Sequence, residues 1–242
     1  MQLIIMTSDN YHHMLNPFMY LLDKYTGDGI EPIVCGFTYD STAKSACSRW
    51  DIPFYSIGKY IDYPASYWSD ALKRVLDNVA KDTFIFMLED YLLCRQVDMR
   101  AVSMLFEHAT KNQDILKVDL CNDRLYSDPG RYLYGANTAY HIGYLDIIES
   151  PVGSQYQMSF WGGIFNKHKL LDVLVPGETA QEVELNGTTR ANNLGVRVIG
   201  TRQSPMLHGN VYQGGKFVGF SGTGWEISRN DISEMRNRGY II

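Results

Sequence analysis

The chain lacks any apolar run near the roughly 20 residues of a membrane-spanning helix. Its start, Met1-Gln2-Leu3-Ile4-Ile5-Met6-Thr7, has no basic leader and too short an apolar stretch for a signal peptide. The expectation is a soluble, cytoplasmic protein whose first residues form a strand. Cysteine is scarce: Cys35, Cys47, Cys94 and Cys121 are scattered without a Cys-x-x-Cys pair, which argues against a structural zinc site and, in a reducing cytoplasm, against disulfides. Excess positive charge is missing too. The formal net charge of −5 gives no global attraction to nucleic acid, although interspersed Lys and Arg leave room for a local basic face. GxGxxG after the first strand, GxxxxGK with Ser or Thr, GxSxG and HExxH are all absent. Nicotinamide and P-loop sites, a serine-nucleophile elbow and a zinc-hydrolase helix therefore find no support.

What the chain does have is 242 residues with 45% hydrophobic content, enough for one sizeable core in a single domain. The most informative stretch is Phe84-Ile85-Phe86-Met87-Leu88-Glu89-Asp90-Tyr91-Leu92-Leu93. A continuous apolar run of this kind reads as a buried strand of a largely parallel sheet. Two carboxylates at its mouth are costly to bury unless a cation, a metal or hydrogen bonds compensate. A strand end reaching solvent is the ordinary alternative.

Periodicity predicts strands over 2–6, 32–37, 54–57, 84–88, 114–120, 158–165 and 196–200. Helices are predicted over 14–25, with Pro17 in the first turn, and over 67–80, with Ser66 as a possible cap. Further helices are predicted over 97–108, 167–174 and from Thr179 onward. Thr7-Ser8-Asp9-Asn10 reads as a polar turn, residues 121–140 as irregular, and the Gly-rich end from Gly209 to Gly224 as a mobile lid-like segment. Alternating strands and helices point to an α/β fold with a largely parallel, doubly wound sheet. In such sheets ligands bind at the carboxyl ends of the strands, where Thr7-Ser8-Asp9 and Glu89-Asp90 both fall. An acidic pair without a phosphate loop suits a divalent cation whose other ligands are diphosphate oxygens. Such a cation stabilises a nucleoside-diphosphate leaving group.

These segments resemble a GT-A-type glycosyltransferase, specifically the small bacterial and phage group whose acidic motif runs Glu-Asp, then Tyr or Phe, then Leu. Met6-Thr7-Ser8-Asp9 is similar to the opening strand and sugar-nucleotide loop, and Phe86 to Leu92, preceded by the Trp68 to Leu72 helix, to the metal motif. Ser159-Phe160-Trp161-Gly162-Gly163-Ile164-Phe165-Asn166-Lys167, with Leu170-Leu171, Pro176-Gly177-Glu178 and Glu182-Val183-Glu184, is similar to the third block. Leu207-His208-Gly209-Asn210 through Gly215-Lys216 resembles the closing segment. Glu-Asp stands where the family pattern has Asp-x-Asp, and Gln181 where it has Trp.

The resemblance implies one GT-A-like domain over 1–242, with a donor half at about 1–120 and an acceptor half at about 121–242. It implies a divalent cation, Mn2+ or Mg2+, on Asp90, with His208 as a further candidate metal ligand and Asn210 as a neighbour reaching the metal or diphosphate. Glu89, Thr7, Ser8, Asp9 and Lys216 would contact a nucleoside-diphosphate sugar, UDP-sugar first among donors. In an inverting transfer Glu182 would be the base, with Glu184 its neighbour or a capping acid. On a helix the two would not share a face; on a strand they would. Trp161, Gly162 and Gly163 would form an acceptor platform. Each has an ordinary alternative: a salt bridge, turn chemistry, a capping acid, a core Trp, a structural His or an exposed Lys. His12-His13 reads as a surface or cleft pair. Tyrosines over 126–144 interleaved with Arg124 and Arg131 suit a saccharide or a hydroxymethylated pyrimidine in phage-type DNA. A non-catalytic nucleotide-sugar binder and a metal-dependent nucleotidyltransferase or phosphatase are the other functional readings.

Overall fold

Alternating burial sets the sheet. β1 (Gln2–Met6) sends Leu3 and Ile5 into the core on one face and Ile4 and Met6 into the core on the other. That is the pattern of a strand covered on both sides. The computed structural model describes residues 1–64, 67–122, 138–150, 153–154, 156–222 and 224–241. Ser66 and the 123–137 stretch with Arg124 and Arg131 lie outside the described residues.

The other strands of the large sheet are β2 (Glu31–Gly36), β3 (Phe54–Ser56), β4 (Thr83–Leu88), β6 (Ile115–Asp119), β7 (Tyr140–Ile142), β8 (Leu145–Glu149), β9 (Gly163–Asn166) and β10 (Arg197–Thr201). Their order is β3-β2-β1-β4-β9-β6-β10-β8-β7. β8 and β9 run against the others, so the sheet is mostly parallel with an antiparallel strand set into its middle. One face is covered by α1 (Leu15–Thr26), α2 (Ser41–Trp50), α4 (Met99–Lys111) and, near the end, α7 (Arg229–Asn237). The other carries α3 (Trp68–Asn78), α5 (Lys167–Val173) and α6 (Ala180–Leu194). The doubly wound expectation holds. No helix among the described residues is long and apolar enough to cross a membrane.

Local chemistry starts the helices where they begin. Asp40 accepts the Ala43 N–H to open α2, and Asp98 accepts the Ala101 N–H to open α4. Thr179 and Glu182 form a reciprocal capping box at α6.

Three expectations need correction. The 7–10 turn continues into a 3-10 helix, Asp9–Met14, that feeds α1. The strand expected over 158–165 is confined to β9, because backbone N–H groups before it are spent on side chains. Met158 donates to Thr188 Oγ1, Phe160 to Glu184 Oε1 and Gly162 to His208 Nε2. The fully buried Lys117, paired with Asp119, holds the same segment by donating to Ser159 Oγ. The Gly-rich end forms short strands: β11 (His208–Asn210) pairs with the distant β5 (Tyr91–Leu93), and β12 (Tyr212–Gln213) forms a hairpin with β13 (Lys216–Phe217). Glu182 and Glu184 both lie on α6, so they point different ways.

Candidate active site

β1 and β4 are parallel neighbours with Met6 beside Leu88, so the residues that follow them emerge together at the carboxyl end of the sheet. Glu89 and Asp90 form the turn between β4 and β5. The Ser8 N–H reaches Glu89 Oε1 at 3.4 Å across that junction. Thr7, Ser8, Glu89 and Asp90 open into a cleft of about 1020 Å3.

Glu89 is buried and Asp90 half-buried. Burial pushes the Glu89 carboxyl up to about 8, with the neighbouring Asp90 adding to the rise; hydrogen bonds from the Glu89 and Ser8 backbone and from Thr7 oppose it. Burial likewise pushes Asp90 up to about 7. Asp90 Oδ1 is buried and has no hydrogen-bond partner among the described residues. Two adjacent hard oxygen donors, one of them orphaned, fit a divalent cation. Among the described residues no three or more His, Cys, Asp or Glu side chains gather as a metal cluster. A cation here would thus draw its remaining ligands from substrate oxygens and water, as Mg2+ commonly does.

The third carboxylate lining the cleft is Glu184, from α6, whose Oε1 accepts the Phe160 N–H at 2.7 Å. Glu182 is not among the lining residues. Its Oε2 accepts the Thr179 N–H at 2.8 Å and the Thr179 hydroxyl at 2.9 Å, and the backbone bond first, then the side-chain bond, hold its carboxyl below the ordinary value. Gln181, at the family's Trp position, does line the cleft.

Other expected site residues sit beside the cleft rather than in it. Asp9 accepts the Thr38 N–H at 2.9 Å and so ties the loop after β1 to the loop after β2. His208 is fully buried and packs against both the Tyr91 and Trp161 rings. Its Nδ1–H donates to the Met206 carbonyl at 2.8 Å, and its Nε2 accepts the Gly162 N–H at 3.1 Å. Burial lowers its pKa to about 4, so the ring is neutral and both nitrogens are taken. Trp161 stacks on Tyr91 at 5.3 Å. A Cβ on Gly162 would sit 2.7 Å from His208 Cε1, and one on Gly163 would sit 2.8 Å from the Val118 carbonyl oxygen, so both glycines serve close packing. Lys216 is exposed on β13, while Gly214 and Gly215 of the same hairpin line the cleft. His12 is buried with Nδ1 3.1 Å from Asp40 Oδ2; His13 faces Tyr212 Oη at 3.1 Å.

Sequence reasoning missed the cleft's aromatic walls. Tyr11 stands in the 3-10 turn; burial, then Asp90 and Glu89 nearby, raise its hydroxyl above the ordinary value. Tyr60, Tyr63 and Trp68 form part of one wall and Tyr212 part of another. The signal available was position: Tyr11 two residues past Asp9, and Trp68 opening a helix ahead of the acidic strand.

With this geometry in view, the fold is that of the GT-A glycosyltransferases. The chain is similar to a mannosyltransferase of Pyrobaculum calidifontis solved with GDP-Man and Mn2+, with a TM-score of 0.55 and 13% identity over 88% of this chain and 58% of that one. It is also similar to residues 1–349 of S. aureus TarS solved with UDP, with a TM-score of 0.51 and 13% identity over 86% of this chain and 59% of that one. The chain thus spans under two thirds of the length of either structure. No family model matches the sequence, and no curated protein matches it significantly.

Proposed function

We propose that this chain is a divalent-cation-dependent glycosyltransferase that moves a sugar from a nucleoside diphosphate, UDP first among candidates, to an acceptor hydroxyl. The observation that carries the reading is the Glu89-Asp90 pair, Glu89 buried and Asp90 with a buried, orphaned Oδ1, at the mouth of a central strand in a large cleft of a GT-A fold. The Glu89-Asp90-Tyr91-Leu92 motif supports placement in the small bacterial and phage group, and a cytoplasmic setting goes with it.

Asp90 would hold the cation, with Glu89 beside it. Bound there, a divalent cation supplies Lewis-acid stabilisation of the diphosphate leaving group. Cation binding needs ionised carboxylates, so the raised pKa values of the pair couple binding to proton release. Thr7 and Ser8 border the same end of the cleft and would contact the nucleotide. Glu184, rather than Glu182, takes the base role, because it lines the cleft while Glu182 is committed to the helix cap. In an inverting displacement the acceptor oxygen bonds to the anomeric carbon. The anomeric carbon–phosphate oxygen bond breaks with its electron pair going to the diphosphate, and Glu184 receives the acceptor proton.

The test is a sugar-nucleotide panel with Mn2+ and acceptors, read by mass spectrometry. Release of the nucleoside diphosphate, lost in Asp90→Ala with the fold retained, supports the proposal. Unchanged turnover in that variant, or pyrophosphate release from a nucleoside triphosphate in its place, overturns it.

A further inference from the structure

A second, open cavity of about 360 Å3 adjoins the main cleft, and Tyr156 lines both. One side is formed by Ser154 and Tyr156, the other by Leu185, Thr188, Thr189 and Asn192 of α6. Glu184 precedes these residues on the same helix. At 1.5 Å rise per residue, Glu184 to Asn192 covers roughly 12 Å, so the groove runs along α6 away from the proposed base.

The groove's chemistry is uniform. Ser154 and Thr189 bring hydroxyls, Asn192 an amide, Leu185 an aliphatic surface and Tyr156 a phenol ring, while the Thr188 hydroxyl is spent on the Met158 N–H and the Glu184 carbonyl; none of the described lining residues is charged. Asn192 accepts the Gly153 N–H through Oδ1 at 3.0 Å, which leaves its NH2 group as a donor. Tyr156, at the junction of the two cavities, has φ of 51°, a left-handed conformation rare for a bulky residue. Such strain persists where the surroundings over-determine it, and it concentrates at ligand sites.

We propose that the Leu185–Asn192 face of α6, together with Tyr156, is an acceptor subsite for an uncharged oligosaccharide. It would take the sugar unit next to the one whose hydroxyl is glycosylated. Hydroxyl and amide groups meet the ring hydroxyls, and Leu185 and Tyr156 meet the apolar ring faces. The ionisable groups among the described lining residues of the joined cavities are, apart from tyrosines, the carboxylates Glu89, Asp90 and Glu184. With Glu89 and Asp90 taken by the cation, Glu184 remains as a carboxylate on the acceptor side, and no described residue of the groove is a cation that would meet phosphates, which disfavours a polyanionic acceptor such as modified DNA. The inference rests on the glycosyltransferase reading and deepens it.

The experiment compares neutral monosaccharides, neutral disaccharides and hydroxymethylcytosine-containing duplex DNA as acceptors. Enzymes compared are the wild type, Thr189→Trp, which fills the groove from an exposed helix position, and Thr189→Ser as the conservative control. For the wild type, kcat/KM for a disaccharide should exceed that for its monosaccharide about tenfold, the scale of one pocket contact. Thr189→Trp should bring that ratio close to one with its unfolding midpoint retained, and Thr189→Ser should preserve it. Equal use of both lengths, a ratio that survives Thr189→Trp, or preferential transfer to DNA overturns the subsite. Nucleotide release without transfer to any saccharide also overturns it while leaving the parent reading standing. No nucleotide release at all removes the parent reading, and the subsite with it.

Discussion

Asp90→Asn should make the cation-free protein more stable while removing its response to metal. The mutation deletes an ionisable group whose charged form is poorly housed. Displacing a carboxyl by one pH unit corresponds to about 1.36 kcal/mol. Carrying Asp90 from its ordinary 3.8 to about 7 therefore places a ceiling of ~4 kcal/mol on the cost of ionising it in the folded state. Because the folded value is the higher one, that cost is absent below about pH 4 and is in full force above about pH 7. For a chain of this size 1 kcal/mol moves the midpoint by roughly 2–4 °C, so the ceiling is on the order of 10 °C. The assay is thermal unfolding in EDTA at pH 5 and pH 8.5, repeated at pH 8.5 with Mn2+ and UDP. The wild type should lose stability toward pH 8.5 and regain it with Mn2+ and UDP. Asp90→Asn should lose less and regain little. If the variant is no more stable than wild type in EDTA at pH 8.5, or if Mn2+ and UDP stabilise both equally, the account of Asp90 as a half-buried carboxylate awaiting a cation is refuted.

Glu184→Gln should lower kcat by roughly 10^2–10^4-fold while donor binding survives, as loss of a general base does. Glu182→Ala should instead lower the unfolding midpoint modestly through the lost capping box and leave turnover measurable, and steady-state kinetics with urea unfolding separates the two. Gly162→Ala should destabilise by about 1–3 kcal/mol in urea titration, because the new methyl meets the His208 ring, itself packed against Tyr91 and Trp161. At the far side of the molecule, burial raises the Asp231 carboxyl, but hydrogen bonds from Lys24, Ser228 and Tyr25 outweigh it and leave the pKa below the ordinary value. The stability this confers is present above about pH 4. It should fall away as pH drops through the lowered value, with Lys24→Met flattening that acid limb of the unfolding curve.

The order of elements was readable where burial imposes a period. Leu3 to Met6 and Phe84 to Leu88 declare themselves as strands covered on both faces, and the buried stripe of α3 is helical in spacing. α2 escaped notice because it buries Ala43, Ala46 and Cys47, residues too small to mark a stripe. Its one legible sign was Asp40 as a cap. α7 hid behind glycines, anchored by Met235 and the buried Asp231 rather than by an apolar face. The carboxylate pair was legible because acids directly after a core strand contradict the run before them. The helix from Thr179 onward was legible, but Glu184 could not be chosen over Glu182 without knowing that Thr179 claims the latter and that the cleft lies on the side of the former. His208 read as a ligand because imidazole chemistry is visible in a sequence, whereas the Gly162 and Met206 backbone groups that occupy it are not.

The antiparallel β9 bears on how this chain acquires its shape during synthesis. β6, although it lies before residue 120, pairs with β9 and β10, and β4 pairs with β9 on the side away from β1. A nascent chain that has emerged only to residue 120 therefore carries β6 with neither neighbour and β4 with one edge bare. Such edges invite pairing with other chains. The sheet closes once residues up to 201 are available. Strands from the two halves of the sequence thus alternate in one sheet, and cutting away the second half would leave β4, the strand that presents Glu89 and Asp90, with β1 on one side and a bare edge on the other.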